Sequence, residues 1–256
     1  MVQLTIEAFD PRIIPRHSRW CFVGGSNRGK SHGMMSILSH LSPDIHFCLV
    51  FCPTESARMQ YRKMVPASHI YSELDLDVLA NLLSHLRAMK DRGKSRNCLC
   101  TFDDTSYDKQ VWKSPVIRDL LFNSRHLSLT TMCTCQYCLD LTPDCRSQIS
   151  CWVATSDACM ANRKRLFNCV FGGGGFRRFE DFDKVFQATT QDYSLCVFDA
   201  TNVKVQSPSD AIFYYKAPAK IQRFKLGLDV FYKLEQKRNQ EINASTGKPP
   251  TITVPT

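Results

Sequence analysis

Eight residues, Gly24-Gly25-Ser26-Asn27-Arg28-Gly29-Lys30-Ser31, carry the spacing G-x-x-x-x-G-K-[ST]. That spacing builds a loop whose backbone amides cradle phosphate. Each residue type has a chemical task. Gly29 allows the backbone to approach phosphate oxygens closely. Lys30 is expected to reach the β- and γ-phosphates, and Ser31 to hold Mg²⁺ through its hydroxyl. Gly24, Gly25, Ser26, Asn27 and Arg28 complete the expected nucleotide-binding loop, with His32 as the next residue along. Arg28 either adds charge near the phosphates or faces solvent. The ligand expected is a nucleoside triphosphate, ATP, with Mg²⁺. No Asn-Lys-x-Asp motif is present, which disfavours GTP, and no Arg-rich lid marks a small-molecule kinase.

A phosphate loop works only if a strand and a helix hold it. Trp20-Cys21-Phe22-Val23 reads as a buried strand just before it, and Met34, Ile37, Leu38 and Leu41 give a helical apolar stripe just after it. The helix N-terminus then directs its amides and the positive end of its dipole at the loop. Triphosphate chemistry also needs a carboxylate at the end of a neighbouring strand. Asp103, after Cys98–Phe102, fits as the group that orients the Mg²⁺ shell, and Asp104 fits as general base for the attacking water. Gln136 follows the strand Thr131–Cys135, so its side chain projects into the crevice that holds the phosphates; it is a candidate for sensing the γ-phosphate or positioning water.

Around these residues strands and helices alternate. Strands are read at 47–52, 98–102, 127–135, 151–154, 194–198 and 211–215. Helices are read at 54–63, over Val78–Met89 with Asp75 or Asp77 as cap, from Pro115, up to about Val170, and over Phe179–Phe186. Ile221, Phe224, Leu228 and Phe231 suggest a further amphipathic helix. Gly172–Gly175 reads as a flexible hinge or turn. The alternation implies an α/β fold with a mostly parallel central sheet and helices on both faces. Residues 1–242 form one domain in this reading, and 243–256, polar and Pro-containing, a disordered tail.

The chain of 256 residues is 43% hydrophobic and 22% charged, with no apolar run long enough to span a membrane. Met1–Glu7 lacks the basic and apolar regions of a secretory signal. Thirteen cysteines, an odd number, argue against a disulfide framework and for a reducing compartment. Most lie in strand-like segments, where a free thiol packs as a small hydrophobe. Cys133, Cys135 and Cys138 lack a second knuckle, so zinc is not expected. The net charge of +9 favours an acidic partner, and nucleic acid is the obvious one. Basic residues cluster at Arg12, Arg16 and Arg19, at Lys90, Arg92, Lys94 and Arg96, at Arg163–Arg165, and at Arg177 and Arg178.

The order of motifs resembles the poxvirus-type DNA-packaging ATPases of large double-stranded DNA viruses, within the FtsK–HerA superfamily of P-loop motors. The likeness covers roughly residues 10–202. It rests on Gly24–Ser31, on Phe47–Thr54, on Cys98–Asp104, on the segment Lys113–His126 ending in Asn-Ser-Arg-His, and on Thr134-Cys135-Gln136-Tyr137. Cys145-Arg146-Ser147 and Tyr193–Thr201 also fit, while Ser124 stands where the family usually has Gly. The resemblance implies a RecA/FtsK-like P-loop fold and an ATPase that drives double-stranded viral DNA into a capsid. It implies a homo-oligomeric ring in which Arg125 or Arg146 is the arginine finger reaching a neighbour's γ-phosphate. Basic residues would grip DNA without reading its sequence. Capsid proteins are further implied partners, and the host cytoplasm or the virion the place of action. Two other readings stand beside it: a plasmid- or transposon-type DNA transfer ATPase, and a nucleotide-gated interaction protein with little turnover.

Overall fold

The computed structural model describes residues 4–106 and 110–245. In chain order the elements are β1 (Glu7–Ala8), β2 (Arg19–Val23), α1 (Lys30–Leu41), β3 (Phe47–Phe51), α2 (Glu55–Tyr61), β4 (Ile70–Tyr71), α3 (Leu76–Asp91) and β5 (Cys98–Phe102). They continue with α4 (Pro115–Asn123), β6 (Leu129–Cys135), α5 (Pro143–Ser147), β7 (Cys151–Ala154), α6 (Met160–Cys169), α7 (Phe179–Thr189), β8 (Leu195–Asp199), β9 (Ile212–Tyr215) and α8 (Asp229–Ser245). Local chemistry sets several boundaries. Asp75 caps α3 by accepting the amides of Asp77 and Val78 at 2.9 and 3.0 Å. Ser114 caps α4, with Pro115 at its first position, where a missing amide costs nothing.

The strands form one sheet in the order β1-β9-β8-β7-β2-β6-β5-β3-β4. From β7 to β4 all pairings are parallel. β8 runs antiparallel to both β7 and β9. Consecutive residues of β2 face opposite layers. Trp20 and Phe22 pack with Met34, Ile37 and Leu38 of α1, whereas Cys21 and Val23 join the layer of α3, α4, α6 and α7. Strands buried on both faces explain why β2, β3 and β5 read as continuous apolar runs rather than alternating ones. The second layer holds a cluster of rings in which Phe182 packs, tilted or edge-on, against Phe171, Phe176 and Phe186 at centroid separations of 5.3–5.5 Å. All cysteines except Cys159 and Cys169 are buried free thiols, filling the role of small core hydrophobes.

The topology places one edge of the sheet in position for chemistry. The chain leaves β2 through α1 to β3 on one side, and β7 pairs with β2 on the other. The carboxyl ends of β2, β5, β6 and β7 therefore share an edge at the point where strand order reverses, which is where open α/β sheets bind ligands. Because β8 is antiparallel, its amino end comes to that same edge.

Several expectations are corrected. The apolar residues Ile221 and Phe224 lie in an irregular segment packed against the α1 layer, and the last helix begins only at Asp229. Their spacing mimics a helix because the segment lays its side chains on one surface. The glycine run is not a free hinge: a Cβ on Gly175 would stand 2.7 Å from the Ser207 carbonyl carbon, so the backbone is packed there. The two-residue strands β1 and β4 were not foreseen. Helix α8 extends through Ser245, past the start of the expected tail; residues 246–256 lie outside the described residues. Among the described residues no helix is long and apolar enough to cross a membrane.

Candidate nucleotide site

The loop between β2 and α1 is anchored to the sheet on both sides. The Gly24 amide donates to the Cys135 carbonyl at 3.2 Å, and the Thr155 amide donates to the Val23 carbonyl at 3.0 Å. Gly24 has φ +148°, and a Cβ there would fall 1.9 Å from Thr155 Oγ1, so only glycine fits. Asn27 (φ +57°) and Gly29 (φ +89°) take the left-handed conformation that turns the loop over the first turn of α1. Lys30 begins that helix. Its ammonium folds back onto the loop, donating to the Gly24 and Gly25 carbonyls at 2.6 and 2.9 Å. Burial pushes the Lys30 pKa down, while the negative charges of Asp104 and Asp103, with Cys135, push it back up. The amine is thus held over the loop's concave side.

Asp103 meets this loop from β5. Its amide extends the β3–β5 ladder by donating to the Phe51 carbonyl at 2.9 Å, and the residue is 2% exposed. Three hydroxyls converge on it. Ser31 donates to Oδ1 at 3.3 Å, Thr134 to Oδ1 at 2.9 Å, and Tyr61 to Oδ2 at 3.1 Å. Burial raises the Asp103 pKa; the bonds from Thr134, Tyr61 and Ser31 oppose it, and the Asp104 charge adds to it. A buried carboxylate ringed by neutral hydroxyls, with no cation in ion-pair range among the described residues, suits a hard divalent ion that prefers oxygen ligands. Ser31 Oγ and the Asp103 carboxylate are the residues that would hold Mg²⁺.

Asp104 diverges from its neighbour. Its backbone turns into the left-handed region (φ +58°), its amide donates to Thr134 Oγ1 at 2.8 Å, and its side chain is exposed. Thr134 thus links the two aspartates, accepting from the Asp104 backbone amide and donating to the Asp103 carboxylate. Gln136, one step beyond β6, is exposed at the same edge. It borders a cavity of about 220 Å³ with Gly24, Tyr137, Thr155 and Arg163. Ser26 and Arg28 lie at the exposed tip of the loop. His32 is on α1, with its ring Nε2 2.9 Å from the Pro218 carbonyl.

The two arginines lie elsewhere. Arg125 sits on the turn Ser124–Leu127 that leads into the amino end of β6, beside Arg19. Seven strand residues separate it from the cradle, about 20 Å at the rise of a strand. It cannot act on its own chain's cradle. Arg146 on α5 is part-buried and donates to the Leu141 carbonyl at 2.6 Å, which braces the loop after β6. Arg163, from another basic cluster, is buried against Asp183 and the Asp157 and Ala158 carbonyls. Sequence reasoning missed Tyr61. A tyrosine on a short helix between strands carries no signal of its partner 42 residues away.

A glycine loop from a central strand into a helix, faced by a carboxylate from a neighbouring strand of a mostly parallel sheet, defines the α/β P-loop NTPase fold. Residues 9–170 match the family of the poxvirus A32 protein, and the chain belongs to that family. It is 28% identical over 214 residues to the uncharacterized protein 088R of Invertebrate iridescent virus 3, covering 82% of this chain and 80% of the relative. It is 27% identical over 238 residues to protein L437 of Acanthamoeba polyphaga mimivirus, covering 89% and 79%. Among solved structures it is similar to the genome packaging NTPase B204 of Sulfolobus turreted icosahedral virus 2 in complex with AMPPCP. The TM-score there is 0.56 at 17% identity, over 82% of this chain and all of that one. EssC (ATPases 2 and 3) from Geobacillus thermodenitrificans gives a TM-score of 0.55 at 14% identity, over 93% of this chain and 47% of the other. At these identities the structural likeness is one of fold.

Proposed function

We propose that this protein is an Mg²⁺-dependent ATPase that moves double-stranded DNA into viral capsids. The observation that carries the reading is the meeting of Ser31 and Asp103 over the phosphate loop, at 3.3 Å. Membership of the poxvirus A32 family and likeness in fold to genome packaging NTPases support the biological setting. The virus assembly site in the host cytoplasm, or the virion itself, is then where it acts.

Each residue has a task in this reading. The loop amides and the α1 dipole hold the triphosphate. Lys30 leaves the Gly24 and Gly25 carbonyls and turns to the β- and γ-oxygens, a short swing that replaces neutral acceptors with charged ones. Ser31 and Asp103 would hold Mg²⁺, which when bound would supply positive charge to offset the charge of the triphosphate. Asp104, free of the hydroxyl ring around Asp103, accepts a proton from the attacking water. Gln136 orients that water or senses the γ-phosphate. Arg125 approaches a neighbouring subunit's cradle, which makes a homo-oligomeric ring the working unit; Arg146, occupied by its own loop, is the weaker candidate. Lys90, Arg92, Lys94 and Arg96 are exposed. No ion pair holds any of them among the described residues, and they offer charge for sequence-independent phosphate contacts.

The test is turnover by purified protein with and without double-stranded DNA. ATP hydrolysis that requires Mg²⁺, rises with DNA and falls at least a hundredfold in Asp104→Asn is the expected outcome. Tight ATP binding with no DNA-stimulated turnover would favour the nucleotide-gated interaction protein instead.

A further inference from the structure

The metal side of the cradle lies toward β5, where Ser31 meets Asp103. A triphosphate laid in the loop with its γ end there must run its ribose and base the opposite way, toward β7 and β8. That side is not a blank surface. An opening of about 530 Å³ lies against the tip of the phosphate loop, between Asn27 and Arg28 on one wall and Ser156, Thr190, Asp192 and Tyr193 on the other. Tyr193 stands in the turn before β8, and its ring Cδ1 comes within 4.0 Å of the Cβ position of Gly29. The side chain is large and aromatic, yet the residue is 78% exposed.

The turn is also held in a costly shape. Asp192 (φ +50°) and Tyr193 (φ +60°) are consecutive non-glycine residues in the left-handed region. Such strain persists only where the surroundings enforce it. Here the Ser194 amide donates to the Gln191 carbonyl at 2.8 Å, and Thr190 Oγ1 donates to the Phe186 carbonyl at 2.7 Å. The turn is therefore tied to α7 at its start and closed on itself just before β8, with the ring presented beside the phosphate loop.

We propose that Tyr193 is the stacking platform for the base of the bound nucleotide. The inference rests on the reading of the loop as a triphosphate cradle and adds the subsite that receives the other end of the ligand. An exposed ring face accepts any purine or pyrimidine, so the contact supplies affinity rather than discrimination between bases.

The experiment measures binding of two ligands to wild type, Tyr193→Ala and Tyr193→Phe in Mg²⁺: a non-hydrolysable ATP analogue and inorganic tripolyphosphate, which has no base. Tyr193→Ala weakens the analogue about tenfold, the scale of one base–aromatic stack, and leaves tripolyphosphate unchanged. Tyr193→Phe, which keeps the ring, retains the wild-type affinity for both. An unchanged analogue affinity in Tyr193→Ala overturns the proposal, and so does an equal loss for both ligands. Lys30→Ala separates the two readings: if tripolyphosphate binds it as well as wild type, the cradle itself is misassigned and the base subsite falls with it.

Discussion

At the carboxyl edge of the sheet several polar groups of one chain converge: Lys30 bonds its own loop, and Ser31, Thr134 and Tyr61 all serve Asp103. At the amino edge Arg19 and Arg125 lie side by side with no carboxylate in ion-pair range among the described residues. Burial, and then the charge of Arg125, pushes the Arg19 pKa down. Arg19 is left with the Leu121 carbonyl and Ser150 as hydrogen-bond partners. One edge is a site assembled within a single chain. The other collects positive charge that the chain does not neutralise, and Lys94 and Arg96 extend it on the turn into β5. In the proposed reading, the first edge supplies the cradle from one chain, whereas the second offers its positive charge to an anion from outside the subunit. A neighbour's triphosphate and a DNA backbone both fit that description.

The largest expected effect comes from separating the edges genetically. Lys30→Ala removes the cradle's cation and Arg125→Ala removes the proposed finger, and each lowers turnover by about 10³-fold or more. Mixing the two variants restores part of the activity, because an intact cradle from one subunit can face an intact arginine from another. Absence of rescue at every mixing ratio would mean that the two edges do not cooperate across subunits. The Arg125 variant should fold normally, since its side chain is exposed.

A smaller effect concerns stability and sharpens the account of the first edge. Burial holds the Asp103 pKa above its ordinary value of 3.8. The folded protein therefore binds this proton more tightly than the unfolded chain, and stability is lost as pH rises from the ordinary value through the folded one. Asp103→Asn keeps the shape without the charge. Thermal melts without nucleotide or metal should show the variant more stable than wild type near neutral pH, by about 1 kcal/mol, with the difference closing below about pH 4. A wild-type protein that is the more stable at neutral pH would show that the hydroxyls fully compensate the buried charge.

Much of this edge was legible in the sequence, because a phosphate loop is local: eight contiguous residues, a strand before and a helix after. The tandem Asp103-Asp104 was legible as a pair, but its division of labour was not. Which carboxylate turns inward depends on the β3 ladder continuing to Asp103 and the chain reversing at Asp104. Those are facts of strand pairing over 50 residues apart. Tyr61 was hidden for the same reason. The parallel core followed from element alternation, whereas the antiparallel β8 did not, since an apolar strand looks the same in either direction. The segment around Ile221 deceived because one-sided burial of an irregular chain imitates helical spacing. Tyr193 fell within a segment that carried the family likeness, yet nothing local revealed that its ring stands next to Gly29.

The central claim is that Ser31 and Asp103 form a metal seat above the phosphate loop. The most direct measurement is calorimetric binding of a non-hydrolysable ATP analogue to wild type and Asp103→Asn, each with Mg²⁺ and with the metal chelated. The account predicts that Mg²⁺ tightens binding to wild type by tenfold or more and that Asp103→Asn loses most of that gain while keeping the metal-free affinity. Equal Mg²⁺ enhancement in both proteins would contradict it.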